Sequence, residues 1–179
     1  MQNRLIKLSN NHYRESNGFT FDDFEVGDIF EHRPGRTITM TDNINHTLNT
    51  VNQHPIHFDE QYARNTQFKR ILVNSTLTLS IVTGMTVNIL SAKAVANLGW
   101  DNIRLPHPVF IDDTLYAVSK IISKKESQKN LDQGVINVKT IGYNQDNTMV
   151  IGFNRFILLP KDRKDVDYSH KIDFDCFNN

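Results

Sequence analysis

The segment ILVNSTLTLSIVTGMTVNILSAKAVANLG, residues 71 to 99, restricts the fold more than any other part of the chain. Its apolar residues (Leu77, Leu79, Ile81, Val82, Met85, Val87, Ile89 and Leu90) fall on nearly every side of a helix, the pattern of a helix buried all round. The β-branched content also permits strands, but the length and the cap candidates Asn74-Ser75-Thr76 favour a helix. Asn74, Ser75, Gly84 and Asn88 interrupt the run, so it is not a membrane span. Other elements must wrap it.

Those elements read as strands. DDTLYAVSKIISKKE alternates apolar and polar residues, and GVINVKTIGY and TMVIGFNRFILLP flank NQDN, a hairpin turn. IRLPHPVF carries two prolines and suits an edge or irregular strand. FDDFEVGDIFEHRPGRTIT predicts one or two strands, with turns at Gly27-Asp28 and Pro34-Gly35. Thr41 is placed to cap a helix carrying Ile44, Leu48 and Val51, and DEQYARN adds a further helical turn. The first of these helices is rich in Asn, a poor helix former, so its stability must come from packing. Trp100 is expected in the core. One long buried helix wrapped by an antiparallel sheet is an α+β arrangement. The 179 residues make one domain over 21–160, a polar arm over 1–20 and a charged tail over 161–179.

Twenty basic residues balance twenty acidic ones, which gives no support to nucleic-acid or membrane-surface binding. The single cysteine, Cys176, excludes an intramolecular disulfide framework and fits a reducing compartment. MQNRLIKLSNNHYRESNGF holds no apolar run long enough for a signal peptide, so a soluble, cytoplasmic protein is expected. No nucleotide fingerprint, phosphate loop or flavin motif occurs, and no cofactor is expected.

The stretch NTVNQHPIHFDEQYA, residues 49 to 63, is too polar for a core element and too stiff, at Pro55, for an idle loop. His54, His57 and Asp59 offer three metal ligands within six residues. Pro55 prevents an ordinary helix through both histidines, so the helical zinc motif is ruled out and no metal is expected. A surface turn whose histidines bond backbone atoms and an acid/base site both remain open from these residues.

Three stretches resemble the MaoC-like dehydratases, the hot-dog-fold family that includes R-specific enoyl-CoA hydratases. They are NQHPIHFDEQYA, FKRILVNSTLTLS and IRLPHPVFIDDTLYA, and the resemblance covers residues 21 to 160. The family pattern, G-D-x-N-P-[apolar]-H-x-[DE]-x-x-[YF]-A, is matched at Pro55, His57, Asp59, Tyr62 and Ala63. Its glycine, catalytic aspartate and asparagine are replaced by Val51, Asn52 and His54. Where the family has A-H-G-M-L at the mouth of the central helix, this chain has Val73-Asn74-Ser75-Thr76-Leu77.

The resemblance implies a single hot-dog fold and reversible hydration of an α,β-unsaturated acyl thioester. That reaction needs a base for water, a proton for the α-carbon and a donor for the developing oxyanion. The family's aspartate and histidine hold the water together; here His57 can take its proton, whereas Asn52 can only position it. His57 would then return that proton to the α-carbon, or His54 would supply a second titrating group. Ser75 matches the glycine whose backbone N–H serves the thioester carbonyl, beside Asn74, and Thr83 matches a pocket serine. The alternatives are a hot-dog thioesterase and a non-catalytic acyl-CoA-binding protein.

LVNSTLTLS, AVANLGWDNIRLPHPVF and GYNQD resemble a branch acting on branched C5 dicarboxylyl-CoA thioesters of the mesaconyl or itaconyl type. Arg70 and Arg104 are the candidate cations for a distal carboxylate, with contacts to CoA phosphates as the other reading. The expected partners are an acyl-CoA substrate, with CoA preferred over acyl carrier protein, and a second copy of the chain in a homodimer.

Overall fold

A computed structural model describes residues 5–162; the expected tail from residue 163 onward, with Cys176, lies outside the described residues. Its centre is the helix the apolar run requires, α3 (Ser75–Leu90). Asn74 caps it, its Oδ1 accepting from the Thr76 N–H at 3.0 Å. The helix ends at Leu90, nine residues before the end of the apolar run. Residues 96 onward instead form β4 (Ala96–Arg104), because pairing with β7 (Met149–Pro160) satisfies their backbone.

With β3 (Ile29–Thr37), β5 (Thr114–Glu126) and β6 (Gln133–Tyr143), these strands form a five-stranded antiparallel sheet in the order β3-β5-β6-β7-β4. Residues 144–147 make the hairpin turn read from NQDN, closed by Asn144 Oδ1 accepting from the Asp146 and Thr148 N–H groups. Pro34-Gly35 is not a turn: it lies within β3, where the register with β5 shifts between His32 and Arg36. Trp100 is not in the core either; it stands on the edge strand β4 and is 43% exposed. Residues 5 to 15 of the N-terminal arm form a hairpin, β1 (Leu5–Ser9) and β2 (His12–Glu15), paired with each other.

The sheet's inner face packs on α3. Approach is close at Gly142, where an added Cβ would meet Ile151 and Val82 side-chain carbons at 2.7 Å. Along β5 the buried residues run Leu115, Ala117, Ser119, Ile121, so a polar position interrupts an apolar row. Ser119 pairs with Thr140 on β6, and their hydroxyls bond at 2.8 Å. His32 Nε2 meets Ser119 Oγ at 2.9 Å, and Arg155 lies buried on β7 with Ser91 as a partner at 3.3 Å. This polar belt lies between two apolar clusters, one around Val82 and Ile151, the other around Leu90 and Ile136.

The Asn-rich helix is α1 (Met40–Asn49), capped by Thr39 rather than Thr41. Thr39 and Asp42 form a reciprocal capping box, which a cap at Thr41 would not provide. The apolar stripe expected to bury is turned outward: Leu48 is 59% and Val51 76% exposed. The buried residues of α1 are Asn43 and Thr47. A polar face is buried here because it completes hydrogen bonds of the segment entering α3.

Candidate active site

Residues 72 to 74 run extended into α3, and their backbone groups bond alternately to either side. The Leu72 N–H donates to the Ile56 carbonyl at 3.1 Å, and the Val73 N–H donates the opposite way, to Val109, at 2.9 Å. The Asn74 N–H then donates to Asn43 Oδ1 at 2.8 Å. Asn43 Nδ2 also donates to the carbonyls of His57 (2.8 Å) and Leu72 (3.3 Å). One buried asparagine thus ties α1, the histidine loop and the helix mouth together.

His57 ends a single 3-10 turn, Pro55–His57. Its Nδ1 lies 2.8 Å from the Leu72 carbonyl oxygen. A carbonyl only accepts, so Nδ1 carries the proton and the neutral ring presents a free lone pair at Nε2. Asn52 Oδ1 accepts from the His54 N–H at 3.0 Å. His54 caps the turn, its Nδ1 accepting from the Ile56 N–H at 3.2 Å, and its exposed ring stands 5.9 Å from those of His57 and Tyr62. Asp59 caps α2 (Glu60–Arg64) by accepting from the Tyr62 N–H at 3.0 Å. Each of the three metal-ligand candidates thus has one atom bonded to backbone, and among the described residues no three His, Cys, Asp or Glu side chains group as ligands.

Ser75 is the first residue of α3, so its N–H has no carbonyl to meet within the helix and lies at the positive end of the helix dipole. It lines a cavity of about 260 Å³ with Phe68, Leu72, Thr78, Leu105 and His107 among its walls. Asn74 is buried, its Nδ2 donating to Thr47 Oγ1 at 3.3 Å. Thr83 lies two turns further along α3, its Oγ1 buried with no hydrogen-bond partner among the described residues. Hydrogen bonds therefore link His57 and Asn74 to the segment that leads to Ser75, while Asn52 and His54 bond within the histidine loop; none of Asn52, His54, His57 and Thr83 lines the cavity at Ser75.

The two arginines stand elsewhere. The Arg70 guanidinium lies 3.6 Å from the Phe110 ring centroid, and Arg104 donates to the Ile103 carbonyl at 2.8 Å. Neither lines the cavity at Ser75. Two residues of this region were not singled out from the sequence. Asn43 gives no signal there, since a polar helix residue reads as exposed. His107 has one: an imidazole between two prolines in IRLPHPVF.

A family model described as the MaoC like domain matches residues 23–144. The chain is 32% identical over 145 residues to a mesaconyl-CoA hydratase of Cereibacter sphaeroides, covering 80% of this chain and 42% of that protein. It is 31% identical over 144 residues to a beta-methylmalyl-CoA dehydratase of Chloroflexus aurantiacus, covering 80% and 41%. The chain thus spans about two-fifths of the length of these relatives. A Mycobacterium tuberculosis protein described as having a double hot-dog fold superposes with a TM-score of 0.74 at 20% identity, over 82% of this chain and 46% of that one. The sheet wrapped around α3 is a hot-dog fold.

Proposed function

The chain belongs to the MaoC-like domain family, and from that premise we propose that it adds water across, or removes it from, the α,β double bond of an acyl-CoA thioester. The observation that carries this is the Leu72 carbonyl. It fixes the His57 tautomer at 2.8 Å, three residues before the N–H of Ser75 at the start of α3. Base and oxyanion donor are thereby held in one rigid frame.

In the hydration direction, His57 Nε2 takes a proton from water as its oxygen adds to the β-carbon. Charge passes to the thioester oxygen, where the Ser75 N–H and the helix dipole stabilise it. The His57 imidazolium then gives the proton to the α-carbon, so a single base completes the cycle. Asn52, with Oδ1 engaged by the His54 N–H, has its Nδ2 donors left to hold the water. His54 is poorly placed as a second base, because its Nδ1 lone pair caps the Pro55–His57 turn. The names of the relatives support a branched C5 dicarboxylyl-CoA as substrate.

A homodimer is the proposed assembly. β4 is bonded to β7 on one side only and exposes Leu98, Trp100 and Ile103 at the sheet edge, a surface suited to a second copy. No helix among the described residues is long and apolar enough to cross a membrane.

The test is a paired assay with mesaconyl-, itaconyl- and crotonyl-CoA, following enoyl absorbance and free thiol together. Enoyl loss without thiol is expected. Thiol release would move the chemistry to hydrolysis, and silence in both channels alongside measurable binding would leave an acyl-CoA-binding protein.

A further inference from the structure

If the substrate ends in a carboxylate, something in the acyl cavity must meet it. Around the cavity at Ser75 stand Phe68, Leu105, Pro106, Pro108 and Val109, all apolar. His107 is the one ionisable residue among its lining residues. The charged groups nearby are turned to other partners. Arg70 lies over Phe110, Arg104 donates to the Ile103 carbonyl, and buried Asp113 accepts from the Phe110 N–H at 2.9 Å and from Gln145 at 3.0 Å.

His107 is exposed, but it is anchored through the same ring nitrogen as His57. Prolines precede and follow it, and its Nδ1–H donates to the Met149 carbonyl at 2.8 Å. Two residues on, the Val109 carbonyl accepts from the Val73 N–H, and Leu72 and Phe110 form an isolated bridge. The segment that receives His57 at Leu72 therefore receives the His107 loop on its other edge. His57 and His107 thus each spend Nδ1–H on a backbone carbonyl, and of the two it is His107 that lines the cavity at Ser75.

That tautomer has a consequence. With Nδ1–H committed, the neutral ring has only the Nε2 lone pair to offer and repels a carboxylate. Only the imidazolium, donating from both nitrogens, accepts one. We infer that His107 is a specificity-determining residue whose imidazolium binds the distal carboxylate of a dicarboxylyl-CoA. This rests on the acyl-CoA reading above and takes the role given to Arg70 and Arg104 on sequence alone. Binding of such a substrate takes up a proton, so its affinity falls as pH rises.

The test measures equilibrium binding of two saturated thioesters that cannot be hydrated, methylsuccinyl-CoA and butyryl-CoA, at about pH 6 and about pH 8. The CoA moiety is common to both, so its own titration cancels in the affinity ratio. Wild-type protein is expected to prefer methylsuccinyl-CoA by roughly tenfold or more at the lower pH, and to lose most of that preference at the higher one. His107→Leu should show no preference at either pH. His107→Gln, which keeps a donor but does not titrate, should show a preference that pH leaves unchanged. A wild-type protein indifferent to the carboxylate, or a leucine variant with the wild-type ratio and slope, overturns the inference. Absence of enoyl loss in the paired assay would instead overturn the hydratase reading, since the binding measurement requires no turnover.

Discussion

Lowering the pH from about 7.5 to about 5 should destabilise this protein through His32. The ring is 2% exposed, and its pKa falls from 6.5 to about 4: burial is the main cause, followed by the Arg155 and Arg33 guanidinium groups. The neutral form is therefore the one the fold accommodates. The folded pKa lies below the unfolded one, so between pH 6.5 and about 4 the unfolded chain binds the extra proton. Stability present above pH 6.5 is lost as pH falls through this window. The linkage gives about 2 kcal/mol at about pH 5 and roughly 3 kcal/mol once both states are protonated. Asp42, also held low by its hydrogen bonds to Thr39, loses its contribution only below its ordinary value of 3.8, outside the window. The assay is urea unfolding across the window for wild type and His32→Gln. The wild type should lose about 2 kcal/mol more than the variant. Should the variant fail to fold, the His32 ring resonance in the wild type, followed by NMR, should still report a neutral imidazole at about pH 5. Equal pH slopes in the two proteins, or a resonance titrating near 6.5, would refute the reasoning.

Val51 has φ of +56°, a left-handed conformation that a β-branched residue resists, and it is largely exposed. Val51→Gly should therefore raise stability by about 1 kcal/mol or more, read as an increase in Tm. Asn43→Ala should cost about 2–4 kcal/mol and lower turnover as well, because it strands the Asn74 N–H and frees the His57 loop. His57→Ala should abolish enoyl loss while the circular dichroism spectrum stays that of the wild type; near-normal turnover would remove the role given to it. Asn52→Asp keeps the acceptor for the His54 N–H and adds a second base, so turnover of crotonyl-CoA should rise roughly tenfold or more.

The long helix, the alternation in β5 and the 144–147 hairpin were legible because each is a local pattern with one physical reading. β4 was not. Ala96 to Gly99 reads as part of a helix tail, and becomes a strand only because β7 offers it partners. Asn43 illustrates a deeper limit. Its three hydrogen bonds join residues 14, 29 and 31 positions away, and no window along the chain shows that those groups need it. The polar belt was hidden for the same reason. Ser119 sits in an ordinary alternating strand, and its relation to His32 and Thr140 exists only across the sheet. For the candidate site, the family pattern points to the histidine loop and Ser75, whereas only the prolines on either side mark His107.

The departures from that pattern at Asn52, His54, Asn74 and Ser75 look like separate losses in the sequence. In space most of them are hydrogen-bonded to one another or to the same segment. Asn52 accepts from His54, whose ring caps the turn that carries His57; His57 bonds Leu72, and Asn74 follows two residues later. Asn74 in turn caps α3, bonds Thr47 and receives Asn43. Asn74 is the buried one among them, and removing its side chain alone would leave the Thr76 N–H and the Thr47 hydroxyl without these partners, at about 1–3 kcal/mol each. A decaying site would accumulate such unpaired groups. Here the side chains of Asn52, His54 and Asn74 are bonded, while the lone pair at His57 Nε2 and the N–H at Ser75 remain for a substrate. That division, with the Asn52, His54 and Asn74 side chains bonded and these two groups left over, is the one that the proposed hydration by a single base calls for.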